Sequence, residues 1–375
     1  MAAQRYHYLD SLRGIAAMIV LLYHASFTFA HSSPVMSLPF IDRGYLMVDL
    51  FFVLSGFVIA HSYWHRLKDW ASVVRFQMYR AARLLPLHIL TLFVFLAIEL
   101  WLYLGDFNLI TAPFAQNSMQ AFAANITLTQ PFLMDELTYN EPAWSIAVEF
   151  YTYIIFAVLC LVGLGHRGVI DVATVLIILG STIWLAAQES FDLTQTGGMV
   201  RCLLGFFLGV LVFRISKVIH VPSAFATISV LVAVLAFCQP ELLPLPDIAF
   251  PYLFAFVMLV LVASDGSALK TLLHARPLRK LGDWSYGIYL WHTAVFWVIP
   301  VLMGMIGFDL WMEPYNHDPF ITTTPLVHTV MLIVGIVVTC ALAAFTYRAV
   351  EMPCNRWMRD RASTAHTRSN QIQTV

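Results

Sequence analysis

An all-α integral membrane protein of about ten transmembrane helices, with both termini in the cytoplasm, is the fold class this sequence predicts, and three observations carry it. Of its 375 residues, 60% are hydrophobic and only 11% charged, a balance foreign to soluble domains. The apolar residues fall in continuous runs of about 20, the helix length a bilayer core requires, without the alternation of a β-barrel. Basic residues crowd every second connector, which sets an orientation.

The spans lie near 9-30, 44-63, 84-104, 142-163, 169-187, 198-214, 223-239, 248-264, 283-303 and 325-350. Arg66, Lys68, Arg75, Arg80 and Arg83 occupy the second connector, Arg167 the fourth, Arg214 and Lys217 the sixth, and Lys270, Arg276, Arg279 and Lys280 the eighth. Arg356, Arg359, Arg361 and Arg368 follow the last span, whereas the alternate connectors hold Arg43 and many acids, among them Asp106, Glu136, Glu189, Asp192, Glu241 and Asp309. Positive charge marks the cytoplasmic side, so both termini belong there, and an even span count agrees. The net charge of −1 is the sum of two opposed faces and says nothing further.

One membrane domain is expected over residues 1-361, followed by a polar, disordered tail over 362-375. No cleaved signal peptide is expected in the first apolar stretch, because Tyr23-His24 interrupts its apolar core, Asp10 and Arg13 precede that core and no clear small-residue cleavage site follows before Pro34. The connector near 105-141 is too short and too apolar for a soluble domain. Five cysteines, Cys160, Cys202, Cys238, Cys340 and Cys354, lack paired spacing, so neither a disulfide framework nor a metal site is expected. The histidines also lack ligand spacing, and no phosphate-binding glycine loop occurs. Basic residues follow the cytoplasmic face without interleaved aromatics, so nucleic-acid binding has no support. Membrane lipids are the expected surroundings, and a homo-oligomer is compatible with the sequence.

Within the first span, Arg13 and His24 are the residues that hydrocarbon tolerates least. Eleven helical steps of about 100° return to within roughly 20° of the start, so both side chains share a face, about 16 Å apart along the axis. An arginine in mid-membrane costs about 2.5 to 3.5 kcal/mol on insertion scales, and such groups read by default as functional.

Six strings, in order, carry a family resemblance. Tyr8-Leu9-Asp10-Ser11-Leu12-Arg13-Gly14 with His24, Val48-Asp49-Leu50-Phe51-Phe52-Val53-Leu54-Ser55-Gly56-Phe57, and Arg80-Ala81-Ala82-Arg83-Leu84-Leu85-Pro86 come first. Pro142-Ala143-Trp144-Ser145-Ile146-Ala147-Val148-Glu149, Ser285-Tyr286-Gly287-Ile288-Tyr289-Leu290-Trp291-His292, and Tyr347-Arg348-Ala349-Val350-Glu351-Met352-Pro353 complete the set. Together they resemble the membrane acyltransferase 3 family, which O-acylates bacterial surface glycans and related molecules. The family often continues after Trp-Ser with two acids and a glutamine, whereas here Glu149 leads directly to Phe150 and Tyr151, so no role for a second acid carries over. The stand-alone form, without the appended esterase-like domain of some members, is expected.

The resemblance implies a bacterial inner-membrane enzyme that takes acetyl-CoA, or another acyl-CoA, as donor substrate and keeps no permanently bound cofactor or metal. Acyl transfer to a hydroxyl needs a base, and histidine has the nearest natural pKa. His24 fits that role, or that of a transient acyl carrier, although membrane histidines also simply bridge helices. Arg13 either anchors the helix through Asp10 or holds the phosphates of coenzyme A. Arg80 and Arg83, three apart, share a face and form an anion clamp for the same donor, although topology alone also places basic residues at cytoplasmic helix ends. Asp49 orients the imidazole or binds acceptor hydroxyls, while Ser55 and Gly56 serve close helix packing. Glu149 needs a buried partner, with Arg201 as the candidate. Trp144 and Tyr151 offer faces for an acceptor sugar, or belong to the interfacial aromatic belt. His292 and Tyr289, three apart, line a site or pack a core.

The predicted function is therefore transfer of an acyl group, acetyl above all, from its coenzyme A ester to a hydroxyl of a carbohydrate or glycolipid of surface-polysaccharide type. A transporter or flippase of a lipid-linked glycan is the alternative, which would call for inverted repeats.

Overall fold

The computed structural model describes residues 6–29, 38–105, 113–164, 166–266, 268–308, 310–312, 319–321, 324–358 and 360. The tail expected from 362 lies outside the described residues. Helices run in the order α1 (His7–Phe29), α2 (Pro39–Asp42), α3 (Met47–Tyr63), α4 (Trp70–Leu104), α5 (Met119–Ile126), α6 (Gln130–Leu133) and α7 (Ala143–Val162). There follow α8 (Arg167–Ala186), α9 (Gly198–Ile215), α10 (Ser223–Cys238), α11 (Phe250–Ala263), α12 (Ala268–Leu273), α13 (Arg276–Met305) and α14 (Pro325–Thr346), and a π-helical turn at Tyr347–Glu351 continues α14. Between α13 and α14, β1 (Leu310–Met312) and β2 (Pro319–Ile321) form a short antiparallel ladder, a small departure from the all-α expectation.

Seven helical segments among the described residues are long and apolar enough to cross a membrane: Gly44–Tyr63, Trp70–Leu104, Ala143–Val162, Gly168–Ala186, Gly198–Ile215, Arg276–Met305 and Pro325–Met358. Ser223–Cys238 and Asp247–Ala263 are apolar but shorter. A multi-pass helical membrane protein follows; the full count of about ten crossings and the side of the termini do not follow from helix length and apolarity.

The clearest difference from the sequence expectation is α4. The polar connector expected between the second and third spans turns helical at Trp70, so Arg75, Arg80 and Arg83 lie along a helix and not in a loop. A reciprocal cap starts it: the Ser72 amide donates to Asp69 Oδ1 (2.6 Å) while Ser72 Oγ accepts from the Asp69 amide (3.1 Å). The Ser72 amide bond holds the exposed Asp69 carboxyl below the usual range. With 35 residues, α4 reaches about 52 Å, well past the roughly 30 Å hydrocarbon core.

Glycines allow two close helix crossings. Gly14 of α1 meets Gly282 of α13, where a Cβ added at Gly14 would lie 2.6 Å from the Gly282 nitrogen, and one added at Gly282 would overlap the Asp10 carbonyl. In α3, Gly56 lies against the Phe206 carbonyl of α9, as the sequence expects of it. Without a water-driven force between helices in lipid, such small residues let backbones approach and gain dispersion contacts.

Candidate active site

The face shared by Arg13 and His24 survives in α1, and both side chains are half-buried on a helix whose other flank is buried. His24 Nδ1 lies 3.0 Å from the Val20 carbonyl. A carbonyl oxygen only accepts, so Nδ1 carries the hydrogen and the neutral ring keeps its lone pair on Nε2. Tyr23, Phe27 and His292 are its ring neighbours, with the His292 centroid 4.7 Å away.

That second histidine arrives by helix register. Gly14 and Gly282 touch, and His24 and His292 each follow their glycine by ten residues. Ten steps add about 15 Å of rise in both helices, so two parallel helices crossing at the glycines bring the two imidazoles to one height. His292 is fully buried, its Nδ1 donates to the Ile288 carbonyl (3.1 Å), and its Nε2 has no hydrogen-bond partner among the described residues.

One turn earlier on α13, the Tyr289 hydroxyl shares a hydrogen bond with Ser145 Oγ (2.8 Å) and donates to the Pro142 carbonyl (3.1 Å). Asn140 braces the same stretch, donating to the Leu290 carbonyl (3.0 Å) and accepting from Thr293 (3.0 Å).

Toward the Arg13 end, five segments bring a charged cluster together. Arg13 lies within electrostatic reach of Arg83, Asp10, Glu149 and Tyr153. Tyr153, one turn beyond Glu149 on α7, also senses Arg80 and shares a hydrogen bond with Ser55 (2.9 Å). Tyr286 of α13 senses Arg83, Glu149 and Glu351, and donates its hydroxyl to the Leu84 carbonyl (2.6 Å). Glu351, buried in the π-helical turn, faces the charges of Arg83 and Arg13. The expected donor residues thus come together from two helices, Arg13 from α1 and Arg80 and Arg83 from α4, and Arg13 also lies within reach of Glu149 on α7. Arg80 Nε and Glu351 Oε1 are buried without a hydrogen-bond partner among the described residues, while the Arg80 guanidinium lies over the Tyr63 ring at 5.6 Å.

Two residues missed as site members could have been found. Glu351 is an acid at the end of an apolar run and falls under the same cost argument as Arg13, and Tyr153 stands at i+4 from Glu149, on the same helical face.

The expected Glu149–Arg201 pair does not form. Arg201, fully buried on α9, instead donates Nη2 to Asp49 Oδ2 (2.7 Å), Nε to Asp49 Oδ1 (3.4 Å), and Nη1 to Asp192 (3.1 Å) and to the Leu193 carbonyl (3.1 Å). Asp49, also fully buried, therefore braces α3 to α9 and does not orient His24. Position explains the choice: the first turn of α3 packs on α9 and brings both Asp49 oxygens to the guanidinium, whereas Glu149 lies toward Arg13.

Trp144 differs from its expectation as well. It is 6% exposed, and its ring takes the Arg201 guanidinium at 5.6 Å and an edge of Phe52, so it has no open face for a sugar. Tyr151 is half-buried, edge-on to Phe132, with its hydroxyl 3.4 Å from the Thr127 carbonyl. Among the described residues no cluster of three potential metal ligands occurs.

Comparison with known proteins bears on this arrangement. The chain is 26% identical, over 92% of its length and 54% of the relative's, to the putative peptidoglycan O-acetyltransferase YrhL of Bacillus subtilis. It is 25% identical to the peptidoglycan O-acetyltransferase OatA of Listeria monocytogenes, over 81% of this chain and 51% of that protein. To the acyltransferase MdmB of Streptomyces mycarofaciens it is 26% identical, over 95% and 93%. The chain thus spans about half the length of the first two relatives and nearly all of the third. No solved structure matches it. A family model described as an acyltransferase domain matches residues 6–345, a stretch that includes Arg13, His24, the arginine pair, Glu149 and His292, and the chain therefore belongs to the acyltransferase 3 family.

Proposed function

We propose that this protein is a multi-pass O-acyltransferase of the bacterial inner membrane, which moves an acyl group, acetyl above all, from acyl-CoA to a hydroxyl of a carbohydrate or glycolipid. The observation that carries this reading is one helix face with a basic cluster at one end and a paired imidazole about 16 Å away at the other, a span that suits an extended pantetheine arm. Orientation follows from charge: the Arg13 end is cytoplasmic, where a soluble coenzyme A ester arrives.

Arg13, Arg80 and Arg83 bind the donor phosphates, for which guanidinium forks suit better than ammonium groups. Glu149 and Glu351 hold those arginines apart and oriented. His24 Nε2 takes the proton as the acceptor oxygen bonds to the acyl carbon; the carbon–sulfur bond breaks, and the proton passes to the departing thiolate. The names of YrhL and OatA favour an envelope glycan as acceptor, with Tyr151 the remaining aromatic candidate for its contact.

Membranes bearing the protein, given acetyl-CoA labelled in the acetyl group, should transfer label to a carbohydrate fraction from which mild alkali releases acetate. His24→Ala should lower that transfer by about 10² to 10⁴-fold, as expected on removing a general base. Arg83→Ala should chiefly raise KM for acetyl-CoA. Unchanged transfer in His24→Ala would remove His24 from the mechanism, and movement of unmodified glycan without label would favour the transporter.

A further inference from the structure

The fully buried imidazole of His292 has no task in the chemistry as described so far, yet its surroundings are specific. It faces the ring of His24 at 4.7 Å, its Nδ1 is committed to the Ile288 carbonyl, and its Nε2 has no hydrogen-bond partner among the described residues. Unpartnered nitrogens of this kind are rare inside proteins and call for a reason. His24 has the same local arrangement, with Nδ1 committed to the carbonyl four residues back. Both neutral rings therefore present a lone pair on Nε2, on neighbouring helices whose register is set by the Gly14–Gly282 crossing. Two imidazolium ions at this separation in a poorly solvated site would repel strongly, so the pair takes up at most one proton beyond the two on Nδ1.

We propose that His292 is a positioning residue for acyl transfer, its Nε2 accepting a hydrogen bond from Nε2–H of His24 while His24 carries the proton taken from the acceptor hydroxyl. The inference rests on the reading of His24 as the base. The balance is closed: the hydroxyl O–H breaks, the acyl C–O bond forms, and the C–S bond breaks with its electron pair on sulfur. The proton waits on His24, steadied by His292, and ends on the thiol. His292 touches neither reacting carbon nor oxygen; it acts by holding the imidazolium in place, as a neutral acceptor in low dielectric can.

The test compares His292→Gln, whose amide oxygen can accept near the position of Nε2, with His292→Leu, which fills space without accepting. In the labelled-acetate assay, kcat for His292→Leu should fall by about 10- to 100-fold with KM for acetyl-CoA unchanged within about twofold, and His292→Gln should recover most of that loss. His24→Ala combined with His292→Leu should lose no more than His24→Ala alone, since residues acting as one unit are not additive. Equal losses in Gln and Leu, or a change confined to KM, would overturn the proposal. A readout free of turnover is the ¹⁵N spectrum of histidine-labelled protein at neutral pH. Both rings should show hydrogen on Nδ1 and a lone pair on Nε2, and the His24 Nε2 signal should move in His292→Leu. Hydrogen on His292 Nε2, or an unmoved His24 signal, would also overturn it. Should the wild-type protein transfer no label, the acyltransferase reading fails, and these spectra still decide whether the two rings interact.

Discussion

Replacing Arg201 with methionine should destabilise the protein by about 3 to 5 kcal/mol, the cost of leaving a buried charge without its partner. Arg201 and Asp49 are both fully shielded, and the 2.7 Å bond between them is Asp49's side-chain bond to a cation, while Arg201 also holds Asp192, which is 39% exposed, and the Leu193 carbonyl. The damage is therefore asymmetric. Arg201→Met strands Asp49 in an apolar interior, whereas Asp49→Asn leaves Arg201 with a second carboxylate and keeps a hydrogen-bonding side chain. The expected order of loss is Arg201→Met first, Asp49→Asn well behind, with the double variant recovering much of the first loss because no unpaired ion remains. Thermal unfolding in detergent, followed by tryptophan fluorescence, gives this order directly. Arg201→Lys should fall between, since an ammonium keeps charge but not the fork that reaches Asp49, Asp192 and a carbonyl together. A double variant less stable than Arg201→Met would show that the pair stabilises by more than mutual charge compensation.

Gly282→Leu should separate α1 from α13 and abolish acyl transfer. A Cβ at this position would overlap the Asp10 carbonyl, which is backbone and cannot rotate away, so the helices must part. Overpacking of this kind costs about 1 to 3 kcal/mol even where side chains can move. The larger effect is on geometry, because the same crossing sets the register of His24 against His292, and a displacement of about 1 Å at reacting groups can cost about 10²-fold in rate. Gly180→Leu in α8 is the control: nothing lies within 4 Å of its would-be Cβ, so stability and transfer should stay near wild type. Full activity in Gly282→Leu would mean that the α1–α13 crossing does not control the imidazole pair.

These expectations show which residues the chain announces by itself. Arg13 and His24 stand out because a charge or imidazole inside an apolar run is costly wherever the helix packs, and Arg80 and Arg83 share a face by spacing alone. Sequence alone pairs Glu149 with Arg201, two ionisable residues on nearby spans, and the pairing fails because it depends on which helix faces lie opposite. α3 presents Asp49 to α9, and α7 turns Glu149 toward Arg13. Trp144 reads as a sugar platform in a one-dimensional sequence, but the Arg201 guanidinium lies against it. The start of α4 is misplaced for a different reason: polar residues look like a connector, while the Asp69–Ser72 cap makes them a helix.

The sequence alone determined the membrane class, the near positions of the helices, the acyltransferase 3 motifs and the spacing of Arg13 from His24, because each depends on hydropathy or helical pitch within a single segment. Tertiary structure decided that His292 faces His24, that Arg201 answers Asp49, and that Glu351 and Tyr153 join the arginine cluster. Those facts depend on how helices cross, and crossings are set where small residues such as Gly14 and Gly282 let backbones meet, a relation between distant segments that no local pattern encodes.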